Sequence, residues 1–548
     1  MKQGATMIKK LFKMAMFLGI GVAIFLRIQY IMTPDDASLN NVQYTIQGFD
    51  TLENNVIDVL FLGASPMEFG VSPLKIYEDV AISGYNLATP GQTIEASYYL
   101  AQKAFQTQDP VVVVLHAGSL FYEDFNDLNS SWRYVLDNLN LNALKLSMAK
   151  DYGTKWYSDG WETAVFPIIK YHTRWSELSQ KDFLKRKIGL YYSAGTYIDS
   201  QIVTTSITLP QVIESEERML DSQGSILYYD RDAKDAELKE GTITGKLHDP
   251  QIAENNLEYL LKLQALCGEY GAQLVLVEIP VMQFPQLMAT AWTKTKSSYM
   301  REVAEQYELP FFDFIFDYEN LVDFSTDTVD GGTHLNIRGA EKMSGVLASV
   351  LVEEFQLTGT PNDTYDAMME QYQTVRDIAM LETETNFNAY IDRLADHLTD
   401  WTVFIIGSDD FTRCLTEDDC LQLQLRLGLQ LADNAEFADA YVAAIQNAEI
   451  MYEAVSDWRI THSLNVNGRK VNLIAAGWYA GPRASVVIDG TERATNVRGL
   501  NFVVFDNDSG LVIDSVAFDT FLEKRPAFRK GGSARSYLRA YESAVCFD

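Results

Sequence analysis

The pattern of apolar and polar positions changes character three times along this chain. Residues 14–32 form an apolar stretch broken only by Arg27 and Gln29. From 56 to about 352, short apolar runs alternate with amphipathic segments. The runs at 56–63, 85–88, 111–116, 273–279 and 310–316 read as buried strands, and the third opens with four consecutive valines. Helical periodicity marks 73–80, 93–106, 252–270, 292–307 and 337–355. Apolar, β-branched strands alternating with helices predict a parallel sheet covered on both faces. Between 119 and 250 the alternation lapses into an insert that contains Trp132, Trp156, Trp161 and Trp175. It is too long for a plain loop and is expected to form a helical cap or substrate-facing subdomain.

Residues 358–400 read as a polar, helix-forming connector. Beyond 401 the texture becomes short strands, at 403–407, 470–475, 485–488, 501–505 and 511–517. Asp506-Asn507-Asp508-Ser509-Gly510 supplies a hairpin-type turn between the last two. The expected organisation is therefore a basic tail and apolar segment at 1–35, an α/β domain at 50–357, the connector, and a strand-rich, β-sandwich-like α+β domain at 401–548.

Composition sharpens this picture in three places. A length of 548 residues exceeds one ordinary core. A net charge of −31 excludes nucleic acid as a partner, because phosphate needs Lys and Arg to neutralise it. Lys2, Lys9, Lys10 and Lys13 precede the apolar stretch, so the positive-inside rule puts the N-terminus in the cytoplasm. The bulk of the chain is then extracytoplasmic, held by a single-pass anchor in the cell membrane. A cleaved signal peptide is the rival reading. The bulky Ile28-Gln29-Tyr30-Ile31-Met32 offers no small-x-small cleavage site, which favours the uncleaved anchor. Of four cysteines, Cys414 and Cys420 are spaced to close a small loop, Cys267 lies in an apolar helical pattern, and Cys546 sits near the end. The spacing matches neither a disulfide framework nor a zinc site.

Candidate chemistry sits at two distant places. Ser65 follows the first strand, at the carboxyl rim where open α/β sheets bind ligands. Serine is a weak nucleophile unless a base takes its proton. Of the six histidines, His334 is the best base, because Asp330 precedes it on one loop and would orient its imidazole. Asp327 is the alternative carboxylate. An oxyanion also needs donors. The Ser65 amide is one, and the segment from Asn86 to Thr93 after the second strand offers Gly91, whose N–H would approach a substrate. His116 ends the valine strand and reads as a polar strand terminus.

These residues resemble a known family. Gly63-Ala64-Ser65 is similar to block I of the SGNH/GDSL hydrolases, Asn86 to Thr93 to block II, and Asp330 to His334 to block V. Thr333-His334-Leu335-Asn336-Ile337-Arg338-Gly339-Ala340 is close to the form in membrane-anchored, DltD-like and alginate-acetylation-like branches. Phe166-Pro167 with Tyr171-His172-Thr173-Arg174-Trp175 is similar to a segment of clostridial members. The resemblance covers about 54–356. It implies a flavodoxin-like three-layer α/β/α fold, acyl-ester chemistry at a Ser65–His334–Asp330 triad, oxyanion or substrate contacts from Gly91 and Asn86, and no metal or other cofactor. Ala64 replaces the block I Asp, Ala117-Gly118-Ser119 lacks the block III Asn, and Asp330 lies one residue farther from His334 than usual.

The C-terminal segments Gly477-Trp478-Tyr479-Ala480-Gly481, Arg498-Gly499-Leu500-Asn501-Phe502-Val503-Val504-Phe505-Asp506 and Val512-Ile513-Asp514-Ser515-Val516-Ala517-Phe518-Asp519 resemble an ILEI-type (interleukin-like EMT inducer) domain. That resemblance implies carbohydrate binding or a structural spacer. The expected function is a membrane-anchored serine esterase or O-acyltransferase for acyl, chiefly acetyl, groups of cell-surface or secreted polysaccharide. A membrane-bound O-acyltransferase is its expected partner for transfer. The alternative is a non-catalytic glycan-binding surface protein with a degenerate SGNH scaffold.

Overall fold

A computed structural model describes residues 2–32, 40–122, 129–155, 160–173, 250–280, 286–323, 327–328, 334–430 and 435–530. The chain divides into two compact units, Met1–Met369 and Glu370–Asp548.

The first unit begins with helix α1 (Lys2–Met32) and α2 (Asn40–Phe49). The doubly wound core follows in order: β1 (Val59–Leu62), α3 (Ser65–Gly70), α4 (Pro73–Val80), β2 (Gly84–Asn86), α5 (Ile94–Ala104) and β3 (Val112–His116). The described part of the insert forms α6 (Asn129–Asn138), α7 (Ala143–Lys155), α8 (Gly160–Val165) and α9 (Pro167–Tyr171). The core resumes with α10 (Glu254–Glu269), β4 (Gln273–Glu278), α11 (Gln286–Gln306), β5 (Phe311–Asp313) and α12 (Ile337–Glu353).

The five strands are parallel, in the order β2-β1-β3-β4-β5. That is the flavodoxin-like winding, and it confirms the expected α/β class. Alternate residues serve the two faces. Leu60, Leu62, Val113, Leu115, Leu274 and Leu276 pack with α2, α5, α10 and the insert helices, among them buried Trp132 and Tyr152. Val59, Phe61, Val112, Val114, Val275 and Val277 pack with Ile76 of α4 and with Met343 and Leu347 of α12. Both faces are covered, which is why the strands read as continuous apolar runs. The insert is helical where described, and its helices extend the first of these two cores. Trp156 and Trp175 lie outside the described residues.

The second unit opens within helix α13 (Asp363–Thr383), followed by α14 (Phe387–Asp396), β6 (Trp401–Ser408) and α15 (Glu417–Leu427). Strands β7 (Ala440–Gln446), β8 (Glu449–Ser456), β9 (Arg459–Val466), β10 (Arg469–Ala476), β11 (Arg483–Ile488), β12 (Thr491–Glu492), β13 (Gly499–Asp506), β14 (Val512–Phe518) and β15 (Ala527–Arg529) complete it. They form two antiparallel sheets, β15-β14-β13-β6-β7-β8 and β12-β11-β10-β9. Phe404, Val442, Leu473, Val486 and Val503 fill the space between the sheets. Tyr390, Leu394 and Leu423 cover the outer face of the larger one. The small disulfide loop does not form: no disulfide joins Cys414 to Cys420. The Cys414 thiol instead donates to the Phe521 carbonyl at 3.3 Å, and the Cys420 amide bonds back to Thr416 as α15 begins.

Candidate active site

Strand β1 ends at Leu62, and the chain turns sharply through Gly63, whose φ is +149°. A Cβ at Gly63 would stand 2.5 Å from the Cβ of His116 on the neighbouring strand. Only glycine fits there without displacing β3. Ser65 is the first residue of α3, with Pro66 behind it where a missing N–H costs nothing. The half-buried Ser65 hydroxyl is thereby held at the carboxyl rim of the sheet.

His334 arrives from the other end of the unit. Its loop is closed at a neck, where Thr328 and Leu335 form an antiparallel bridge and the Asn336 amide donates to the Asp327 carbonyl at 2.9 Å. Asn336 caps α12, its side chain accepting from the Arg338 and Gly339 amides. Gly339 lets α12 approach so closely that a Cβ there would collide with the Asp327 carbonyl. Buried Leu335 packs against Gly70 of α3. These contacts give the segment from His334 to Gly339 its physical content, since Leu335, Asn336 and Gly339 fix the neck and the neck presents His334. The His334 Nε2 lies 2.9 Å from the Ser65 Oγ, across 269 residues of sequence. The Phe69 ring packs on the imidazole, centroids 4.9 Å apart.

Asp330 lies outside the described residues. Asp327 is fully buried, and its carboxylate meets Lys342 Nζ at 2.5 Å, Arg338 Nε at 3.9 Å and the Asp323 amide at 2.9 Å. It anchors the loop on α12.

The segment after β2 is stitched to the same rim. The Leu87 amide donates to the Phe61 carbonyl and the Thr89 amide to the Gly63 carbonyl. Gly91 follows in a left-handed turn, φ +61°, before Thr93 caps α5. Asn86 departs from the expected substrate contact. It is buried, its amide donates to the Met67 and Val71 carbonyls, and its carbonyl accepts from the Ala88 amide. The side chain is committed to fastening α3 to β2, because a buried amide without partners would be costly.

Two further groups escaped the sequence reading. Glu278 ends β4, fully buried beside His116 (Nε2 to Oε1, 3.6 Å) and Lys296 of α11 (2.8 Å). Burial opposes its charge, yet Lys296 and His116 prevail and hold the carboxyl down at about 2. The half-buried Tyr122 is pushed up to about 12 by desolvation and by the charge of Glu278. Gly118 passes over the His116 ring at a distance where a Cβ would be 2.6 Å away. A lone carboxylate closing the apolar run Leu274 to Val277 was the available signal for Glu278. The second group is Glu68 on α3, three residues past Ser65, whose carboxyl burial raises to about 8.

Fold and site together define a doubly wound α/β protein with a Ser–His pair at the carboxyl rim of its sheet. No family model matches the chain, and no curated protein matches it. Solved structures similar to it include two from Bacteroides. One is a protein assigned as an acylhydrolase from Bacteroides fragilis, with 12% identity over 59% of this chain and 99% of that one, at a TM-score of 0.27. The other is a GDSL-like lipase from Bacteroides thetaiotaomicron, with 12% identity over 58% and 100%, also at 0.27. At these scores the likeness carries no weight beside the strand order and the site geometry.

Proposed function

We propose that the chain is an SGNH-type serine esterase or O-acyltransferase. The observation that carries this reading is the 2.9 Å approach of His334 Nε2 to Ser65 Oγ. That distance suits a base poised on a nucleophile. Ser65 Oγ attacks the acyl carbonyl carbon while His334 takes its proton. The amides of Ser65 and Gly91 stabilise the oxyanion, and Asp330 holds the imidazole in the tautomer that leaves Nε2 free to accept. Collapse expels the alcohol, which recovers the proton from His334. Water then releases the acyl group from Ser65, or a sugar hydroxyl accepts it.

The substrate in this reading is an acyl, most simply acetyl, group on cell-surface or secreted polysaccharide. Two features support the setting. Lys9–Gln29 of α1 is long and apolar enough to cross a membrane and is not buried by the rest of the chain. Among its described residues the helix becomes buried only at its outer end, at Gln29 and Met32, so cleavage after the apolar core would remove part of a packed interface. On the second unit, Trp478 and Tyr479 are 54% and 67% exposed, with Phe437 edge-on to Tyr479, and such aromatic faces suit sugar rings. Transfer, as opposed to hydrolysis, needs an acyl donor delivered across the membrane, the role of a membrane-bound O-acyltransferase partner.

The test is labelling of the detergent-solubilised full chain by a fluorophosphonate probe, alongside acetate release from acetylated glycans. Ser65→Ala is expected to abolish both, and His334→Ala to reduce them roughly 10³-fold or more. Equal labelling of wild type and Ser65→Ala, with no acetate released, would overturn the enzyme reading.

A further inference from the structure

The membrane-facing helix does not end where the folded unit begins. Phe25, inside the apolar segment, packs on Phe166 of the insert, ring centroids 5.8 Å apart. One turn later, the buried Gln29 side chain accepts a hydrogen bond from the Ile168 amide of α9 at 2.7 Å. Met32, at the last residue of α1, is fully buried. The anchor is therefore packed onto α9 and onto Phe166, the residue that joins α9 to α8.

Those two short helices are themselves tied down. The backbone of Trp161 lies so close to Gly153 of α7 that a Cβ there would be 2.8 Å from it. At the far end of α9, the Tyr171 hydroxyl donates to Asp137 at 3.1 Å, and Asp137 is paired with buried Arg133 at 2.8 Å. A continuous set of packed contacts thus runs from α1 through α9 to α6 and the main core.

Depth follows from helix geometry. The uncharged residues from Met14 to Leu26 rise about 20 Å, and the lysine stems before them and Arg27 after them reach outward to match the ~30 Å of a bilayer's hydrocarbon core. With the lysines at the inner face, Phe25 to Gln29 emerge in the outer interfacial layer. Phe166 and Ile168 are in contact with those residues, so α8 and α9 share that depth. Here the unit exposes Trp161 and Ile169, each 47% accessible, on either side of half-buried Phe166. Tryptophan and aliphatic side chains are what the interfacial layer accepts. Glu162 and Lys170 balance each other, so the surface does not select anionic lipid by charge.

We propose that α8 and α9 rest in the outer headgroup layer of the bilayer that α1 spans, with Trp161 and Ile169 in contact with lipid. The first unit then stands on the membrane in one orientation, and its Ser–His site serves acyl groups at a fixed height above the surface. This inference rests on the membrane-anchored reading of α1.

The experiment uses the full chain with its four cysteines replaced and one new cysteine carrying the environment-sensitive dye NBD. The positions are Ile169→Cys, Trp161→Cys, Phe17→Cys on α1, and Val352→Cys on α12, which covers the opposite face of the sheet. Each is exposed, so the fold tolerates the label. The proteins are reconstituted into phosphatidylcholine vesicles, with and without lipids bearing a shallow nitroxide. Blue-shifted emission at 161 and 169, quenched by the shallow nitroxide, is expected, with no change at 352. Quenching at 17 with water-like emission at 161 and 169 would overturn the proposal and leave the anchor standing. Blue-shifted but unquenched emission at 161 and 169 would overturn it in favour of a protein contact. Absence of quenching at 17 as well would overturn the membrane reading itself.

Discussion

Glu68 is the residue whose environment most clearly costs the fold something. Its carboxyl is raised to about 8 from an ordinary 4.5 by burial, so the folded chain keeps it neutral where the unfolded chain ionises. Stability is therefore full below pH 4.5 and declines as pH rises towards 8. Glu68→Gln, which fixes the neutral form, is expected to leave stability at pH 4 unchanged and to raise it at pH 8 by roughly 1–4 kcal/mol. Urea midpoints at the two pH values check this. At this scale the sequence was readable wherever chemistry follows from a local motif. Ser65 and His334 stood out because a serine past a strand and a histidine before a helix have a recognisable local setting. Glu278 and Lys296 did not, because their meaning lies in a pairing across 18 residues that only the helix α11 crossover creates. Asn86 shows a related limit: an amide near a site can contact substrate or fasten the backbone, and its bonds to Met67, Val71 and Ala88 are not legible in the sequence.

Elements were legible where both faces of a strand are apolar or a helix carries one clear stripe. The five core strands, together with α4, α5, α10 and α12, lie where periodicity puts them, within a few residues at the ends, while α11 opens six residues before the expected 292. Helix α3 was missed because its six residues are too few for a period and Pro66 reads equally as a turn. Helix α15 begins at Glu417, ahead of its apolar stripe, because Thr416 and Asp419 form a capping box there. Strand β8 is exposed to intermediate along its whole length and gives no alternation to read. The neck before α12 is the element on which activity should depend most. Asn336→Ala removes a cap and the bond to the Thr328 carbonyl. It is expected to cost about 1 kcal/mol of stability. A loss of kcat larger than that of KM is also expected, because His334 loses its fixed approach to Ser65. Thermal melts and steady-state kinetics on a chromogenic acetyl ester measure the two effects.

At the scale of the whole molecule, the texture change near 401 coincides with the first antiparallel strand, β6 at Trp401. The compact units divide earlier, at Met369/Glu370, inside a single helix that no break in periodicity marks. Two units with their own cores predict two calorimetric transitions for the full chain in detergent, where one cooperative transition would contradict their independence. Trp478→Ala with Tyr479→Ala is expected to abolish retention on acetylated polysaccharide while fluorophosphonate labelling of Ser65 persists. Affinity electrophoresis measures the first and in-gel fluorescence the second. The order of the sheet also has a consequence for biogenesis. Strand β3 pairs with β4, yet about 160 residues of insert and helix α10 are synthesised between His116 and Gln273. At a translation rate of roughly 5–20 residues per second, the valine edge of β3 waits on the order of ten seconds or more for its neighbour. During that interval a half-built β2-β1-β3 sheet offers an unpaired, apolar edge to any other chain. The nascent protein is thus most exposed to aggregation while the insert is being made, and that is when a chaperone would have the most to shield.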